Sequence, residues 1–430
     1  MLEIIGSSLL GWLWQLLGNT PKQSIQLESI AWQDTAIFKV PDERVDPVVQ
    51  QIIDDYLQSL SQRGINSDLQ GVWLQSDWID LGNYRGTQAV SAASLTKIAT
   101  TLAVLEKLGI DYRFVTHVAH TGSIENGILQ GDLIFRGNRD PLFVWEEAIA
   151  IANTLNKLGI EQIAGDLLVD REFYMNYETD PQVAGKLLKQ ALQPHLWSAE
   201  VKRQFASLPS QTPRPQLKIR GEVKVVAEHT ASSQLLLSHQ SLSLIEILRQ
   251  MNIYSNNKMA QMLADIVGDA SAVASYTVKA TGVSPSEIQI INGSGLGEEN
   301  RISPRAATEM LKAIDSLLQP HNLEVRDIFP VADRDNVGTM VNRALPSGVA
   351  VKTGTLDRVS ALAGAIPLQD ERKIWFAIVN SGWQIEQFRQ EQDKLLQKLA
   401  HHWQLNPTLT QRSLPEKQVY LGDPQRNQIE

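Results

Sequence analysis

The period of the apolar positions changes several times along this 430-residue chain, and each change marks an element. Across residues 45–60, Val49, Ile52, Ile53, Tyr56, Leu57 and Leu60 follow the spacing of a helix with one buried face. Residues 71–79 predict a strand, and Gly82-Asn83 a turn. From 94 to 108 the pattern is helical again: Leu95, Ile98, Leu102 and Leu105 share a face with Ala99, and Gly109 supplies a stop. After Asp111 the texture shifts to short strands at 114–120, 128–136, 163–169, 217–228 and 234–237, around a helix at 145–158. Helical spacing returns at 242–250 and 258–266. Ser303-Pro304 then opens a helix to about residue 318, with Ser as N-cap and Pro as first helical residue. Three strand-like runs follow at 348–356, 360–367 and 374–379, joined so closely that an antiparallel meander is predicted. Residues 385–403 predict a long closing helix. Beyond Leu405 the chain is rich in Gln, Pro and charge, and is expected to be irregular.

These elements predict an α/β chain of the α+β type, an antiparallel sheet flanked by helices and interrupted by a large mixed insertion. The expected units are an apolar N-terminal segment (1–25), the first part of the main domain (26–110), the insertion (111–240), the second part (241–404) and a polar tail (405–430). An insertion is tolerated where its two ends lie close together at a surface loop. Residues 2–18 are apolar apart from Glu3 and Gln15, a little short of the ~20 residues that span a bilayer. They lack the cationic start and small-residue cleavage site of an export signal. Trp12 and Trp14 suit a membrane interface, so three readings stand: a helix on the protein's own surface, a membrane anchor or interfacial helix, or an atypical export signal.

Composition narrows the chemistry. Apolar residues make up 43% and charged residues 20%, both ordinary for a globular protein. The net charge of -9 argues against nucleic acid as a partner, which needs a basic surface. The absence of cysteine excludes disulfides, thiolate metal sites and a cysteine nucleophile. No HExxH occurs, and the one close histidine pair, His401-His402, is adjacent and so does not share a helix face; neither a metal nor a cofactor is expected.

What remains is a serine chemistry spread over three short motifs: Ser94-Leu95-Thr96-Lys97, Ser255-Asn256-Asn257 and Lys352-Thr353-Gly354. Each alone is weak; S-x-x-K occurs twice, since Ser255 and Lys258 also match it. A serine hydroxyl needs an adjacent base to attack at neutral pH, and residues i and i+3 of a helix are neighbours, which sets Lys97 beside Ser94. Lysine is a base only if burial or a nearby cation, such as Lys352, lowers its pKa far below ~10.4. Ser255 and Asn257, two apart, fit a loop between helices with both side chains in a cleft. There Ser255 could relay a proton, and Asn257 could orient Lys97 or bind a substrate amide. The run 348–356 reads as a strand along which an extended peptide could lie. Lys352 would bring positive charge there, Thr353 and Thr355 hydroxyls for a carboxylate, and a backbone N–H, paired with that of Ser94, an oxyanion hole. Gly354 allows another backbone to approach closely.

The three motifs in this order are the signature of penicillin-binding proteins and serine β-lactamases. The chain resembles one family of them, the D-alanyl-D-alanine carboxypeptidase/endopeptidases, also known as low-molecular-mass class C penicillin-binding proteins or peptidase family S13, which carry a large insertion between the first two motifs. The runs 131–143 (GDLIFRGNRDPLF), 159–170 (GIEQIAGDLLVD), 292–304 (NGSGLGEENRISP) and 351–364 (VKTGTLDRVSALAG) extend the likeness over about residues 45–400. The resemblance implies a penicillin-binding/β-lactamase-like fold. It also implies hydrolysis of D-Ala-D-Ala ends or cross-links in peptidoglycan stem peptides, covalent inhibition by β-lactams, and a place in the cell envelope, on the periplasmic side. On that likeness Ser94 is the acylated nucleophile and Lys97 its base. Ser255 and Asn257 line one wall of the cleft, and Lys352, Thr353, Gly354 and Thr355 the strand side. Two positions depart from the family. Asn292 replaces the usual Asp before G-S-G-L, and Gln261 replaces a common acidic residue; neither is an expected catalytic group. A β-lactamase would need a deacylating glutamate, and no E-x-x-L-N run lies between the first two motifs. A non-catalytic envelope scaffold on the same fold is the other alternative, and the intact motifs speak against it.

Overall fold

One antiparallel sheet of five strands joins residues 70–84 to residues 350–381. In the computed structural model, which describes residues 46–77, 79–227, 233–368, 372–405 and 420–430, Ala350–Leu356, Val359–Pro367 and Lys373–Ser381 form the meander that the sequence predicts. Gln70–Gln75 pairs with the last of these, and Asp80–Tyr84 lies outside it. Strand alternation sorts side chains by size. Ala361, Ala363, Ala365 and Ala377 face one side, where small residues let a helical layer come close. Leu362, Ile366, Phe376 and Ile378 face the other, where they meet helices Pro47–Ser61 and Ile385–His402.

Helix Thr96–Leu108 is the centre of the first layer. Every residue from Thr96 to Leu105 is buried, and Gly109 ends the helix with φ +82°. Helices Leu244–Tyr254, Asn257–Val267, Ala270–Thr281 and Pro304–Leu318 surround it.

Residues 115–240 build two further sheets, one of which takes a strand from residues 427–429. The larger has six strands in the order Val223–Val225, Leu167–Val169, Leu133–Arg136, Val115–His120, Gln234–Gln240 and Asn427–Ile429. Helices Trp145–Lys157, Pro181–Leu192 and Ala199–Ser207 cover it over a separate apolar cluster that includes Phe135, Phe143, Trp145, Phe173 and Trp197.

Several expectations are corrected. Gly82-Asn83 is not a turn but lies within a strand, because the chain has already reversed between Gln75 and Asp80, where the Ser76 N–H donates to the Ile79 carbonyl. Gly82 is there for room: a Cβ would meet Ile53 Cδ1 at 2.8 Å. The runs 128–136, 163–169 and 217–228 are each broken into two short strands. Helices Pro181–Leu192, Ala199–Ser207 and Ala270–Thr281 were not anticipated.

The tail is not irregular throughout. Asn427–Ile429 pairs antiparallel with Gln234–Gln240, and Arg426 donates to both carboxylate oxygens of buried Glu147 at 2.5 and 2.6 Å. Asn427 Oδ1 accepts from His239 Nδ1 at 2.6 Å, and its Nδ2 donates to Thr154 Oγ1 at 2.8 Å. A buried ion pair resists the loss of either partner, at a cost of about 3–5 kcal/mol, which fixes the segment in place. Residues 2–18 lie outside the described residues.

Candidate active site

The nucleophile candidate sits one turn earlier than a continuous helix would put it. Ala93–Leu95 is a single 3-10 turn leading into the central helix, and Ala93 holds a left-handed φ of +46°. The turn is wedged against strand Ala350–Leu356. At Gly354 an added Cβ would lie 3.0 Å from the Ala92 carbonyl and 3.1 Å from the Ser94 nitrogen. Glycine is thus required there by backbone approach, which brings the strand to the Ser94 N–H.

Lys97 is the hub. Its Nζ lies 3.0 Å from Ser94 Oγ, 2.7 Å from Asn257 Oδ1 and 2.6 Å from the Ser294 carbonyl. The side chain is fully buried, and burial pushes its pKa from an amine's usual 10.5 down to about 7. No nearby cation is needed for that shift, although the sequence allowed for one. Ser255 caps the C-terminus of Leu244–Tyr254 in the left-handed conformation (φ +51°), and Asn257 begins the next helix, so the second motif is the joint between two helices. Asn256 caps that second helix, accepting from the Met259 N–H at 3.0 Å.

The strand side completes the site. Lys352 is fully buried and donates to Ser255 Oγ at 3.1 Å and to the Thr353 carbonyl at 2.8 Å. Burial, and after it the charge of Lys97, hold its pKa well below the ordinary value. The strand is the sheet's outermost, and the Val351 N–H points away from the sheet to the Pro330 carbonyl. Strand alternation then directs the N–H groups of Thr353 and Thr355 to the same open edge. Thr353 is nearly buried; Thr355 is exposed, and its hydroxyl accepts from Arg389 Nη2 at 3.0 Å. All eight residues that the sequence singled out therefore converge: Ser94 and Asn257 on the Lys97 nitrogen, Ser255 on the Lys352 nitrogen, and Thr353, Gly354 and Thr355 along the edge.

Sequence reasoning missed four contributors. The Ser294 carbonyl is a backbone group with no side-chain signature. Arg389 lies one helical turn into a helix read only as closure. Asn292 and Gln261, noted as departures without a role, build the loop behind Lys97. Asn292 Oδ1 accepts from the Ser294 N–H (3.1 Å), the Gly295 N–H (2.8 Å) and Ser294 Oγ (2.8 Å). Gln261 Oε1 accepts from the Gly293 N–H at 3.1 Å. Among the described residues no group of three or more His, Asp or Glu side chains is placed to hold a metal ion.

Comparison with known proteins bears on the family and the fold. A family model described as the D-Ala-D-Ala carboxypeptidase 3 (S13) family matches residues 58–184 and 182–402. "D-alanyl-D-alanine carboxypeptidase DacB" of Haemophilus influenzae is 21% identical over 70% of this chain and 83% of its own length. "Carboxypeptidase DacB" of Mycolicibacterium smegmatis is 30% identical, but the match spans 33% of this chain and only 34% of that protein. Among solved structures, a penicillin G-acylated predatory endopeptidase of Bdellovibrio bacteriovorus superimposes with a TM-score of 0.66 at 22% identity, covering 78% of this chain and 92% of that one. Penicillin-binding protein 4 of Haemophilus influenzae gives 0.59 at 19%, covering 80% and 98%. The fold is that of the penicillin-binding proteins, and the chain belongs to the D-Ala-D-Ala carboxypeptidase S13 family.

Proposed function

We propose that this protein is a serine-type D-Ala-D-Ala carboxypeptidase/endopeptidase that acts on peptidoglycan stem peptides in the cell envelope, through an acyl-enzyme on Ser94. The observation that carries the reading is Lys97: a buried amine, near neutral pKa, in contact with a serine hydroxyl at the mouth of an open strand edge. A stem peptide adds to the edge of Ala350–Leu356. The Ser94 Oγ attacks the carbonyl of the penultimate D-Ala while its proton passes to Lys97 Nζ. The resulting oxyanion is met by the N–H groups of Ser94 and Thr355. Collapse breaks the C–N bond, and the proton held by Lys97 reaches the departing amine through Ser255, which, backed by Lys352, gives up its own proton as it receives that one. Water then attacks the ester and restores the enzyme. Thr355 and Arg389 are placed to receive a carboxylate on the leaving side. β-Lactams enter by the same acylation, and the slow loss of their acyl group makes them inhibitors rather than substrates.

Residues 111–240 are read on this proposal as an inserted domain, supported by two further sheets and an apolar cluster of their own. No helix among the described residues is long and apolar enough to cross a membrane.

Intact mass after incubation with benzylpenicillin tests the proposal. The native chain is expected to gain one penicilloyl group and Ser94→Ala none, with D-Ala release from a pentapeptide falling at least about 10⁴-fold. An adduct that survives Ser94→Ala overturns the assignment. Acylation should also depend on pH through Lys97. Below about 7 the amine holds a proton and cannot take another, so the rate rises with pH through about 7 and then levels. An acid limb at the ordinary lysine pKa would remove burial from the account.

A further inference from the structure

A neutral lysine has two N–H bonds and one lone pair. At Lys97 two of the three contacts are acceptors only: Asn257 Oδ1 at 2.7 Å and the Ser294 carbonyl at 2.6 Å. Both N–H bonds are consumed by them, and the tetrahedral nitrogen then turns its lone pair to the remaining neighbour, Ser94 Oγ at 3.0 Å. The Ser294 carbonyl therefore aims the base. It is held in place with unusual care. Asn292 gathers two N–H groups and one hydroxyl of Ser294 and Gly295, and its own Nδ2 donates to the Leu296 carbonyl at 2.7 Å. Asn300 Oδ1 accepts from the Ile291 and Asn292 N–H groups at 3.0 and 3.3 Å. Thr100 donates to the Gly293 carbonyl at 2.7 Å from the Lys97 helix itself. Gly293 packs on Ala260 and Ala264 with no room for a Cβ.

We infer that Asn292 is a positioning residue for acyl transfer: its carboxamide fixes the Ser294 carbonyl that orients the Lys97 lone pair on Ser94. This rests on the function proposed above. It goes beyond it by assigning work to a position where the family's usual Asp is absent. A carboxylate would accept the same three bonds but could not donate to Leu296, and it would place a negative charge two residues from the carbonyl that touches Lys97.

The charged groups on the elements around Lys97 are few. The strand brings Lys352, which is buried with it. Helix Asn257–Val267 brings Lys258, paired with Glu178, and Asp265, held by Gln261. The loop itself carries Glu298, Glu299 and Arg301, all exposed. On the helix ending at Ser255, Glu246 closes a capping box and Arg249 pairs with Asp335. None of the carboxylates named here touches Lys97, whose Nζ meets Ser94, Asn257 and the Ser294 carbonyl, and Asn292→Asp would place one two residues from that carbonyl.

The test is transient kinetics of acylation by a chromogenic penicillin, separating non-covalent binding from the acylation rate constant across pH. Active fraction is titrated first in each preparation. Asn292→Ala is expected to lower the rate constant of the active fraction about 10–100-fold with binding nearly unchanged. Asn292→Asp, which keeps the three acceptor bonds and hence the fold, is expected to recover most of that rate at high pH, with its acid limb displaced upward. A wild-type rate constant in active Asn292→Ala, or an unmoved acid limb in Asn292→Asp, overturns the inference. Failure of the native protein to be acylated at all would instead sink the proposed function.

Discussion

Lys97→Met is expected to abolish acylation and to make the protein more heat-resistant at neutral pH. The loss follows from chemistry: without the amine, the Ser94 proton has no acceptor within reach, and the acylation rate should fall about 10³–10⁴-fold. The gain follows from linkage. A lysine of pKa about 7 when folded and 10.5 when unfolded costs on the order of 5 kcal/mol at or below neutral pH. Losing the hydrogen bonds to Asn257 and the Ser294 carbonyl offsets part of that, at about 1–3 kcal/mol each. Between pH 7 and 10.5 the unfolded chain binds the extra proton, so native stability rises with pH over this window, and that rise should be smaller in the variant. Lys352, also held low by burial, keeps the remainder. Melting temperatures of both proteins from pH 6 to 9, read beside acylation rates, check the two halves together. A variant that acylates at the native rate removes Lys97 from the mechanism; one that melts lower at every pH shows that its hydrogen bonds outweigh its desolvation.

Gly295→Ala is expected to silence the site by a different route and to destabilise the fold. Gly295 has φ +80°, and a Cβ there would run into the Ala93 carbonyl and come within 2.8 Å of Thr96 Oγ1. Ala93 itself holds a left-handed φ, so the turn has little freedom to retreat. The substitution must displace either the turn that carries Ser94 or the carbonyl that holds Lys97. A loss of about 2–4 kcal/mol and at least about 100-fold in acylation are expected, measured by thermal melting and penicillin labelling. Native labelling in Gly295→Ala would mean that the two backbones are not in firm contact.

Much of this site is legible in the chain because its chemistry is carried by side chains at fixed spacings. Ser94 and Lys97 are three apart at the start of a helix, Ser255 and Asn257 straddle a joint, and Lys352 stands in a run whose pattern is that of a strand. The meander was legible for a related reason: its strands are seven to nine residues long, and short connections leave only antiparallel pairing. What escaped has no side-chain code. The Ser294 carbonyl acts as backbone, and Asn292 and Gln261 work by hydrogen bonds that composition does not advertise. In the region 111–240 several strands have only two or three residues, and some pair in parallel across long separations, as Leu133–Arg136 does with Leu167–Val169. Such segments show no period long enough to read. Gly82 misled for the opposite reason, since a residue that usually marks a turn was serving as space for Ile53.

The pairing of Asn427–Ile429 with Gln234–Gln240 has a consequence for the order of synthesis. The middle region of the chain leaves the ribosome long before its sixth strand exists. Glu147 and His239 must wait, one for Arg426 and the other for Asn427, until those residues have been made. Domains that fold during synthesis close as their own residues emerge. Here the region made second waits for a later one, and residues 424–430 act as its latch.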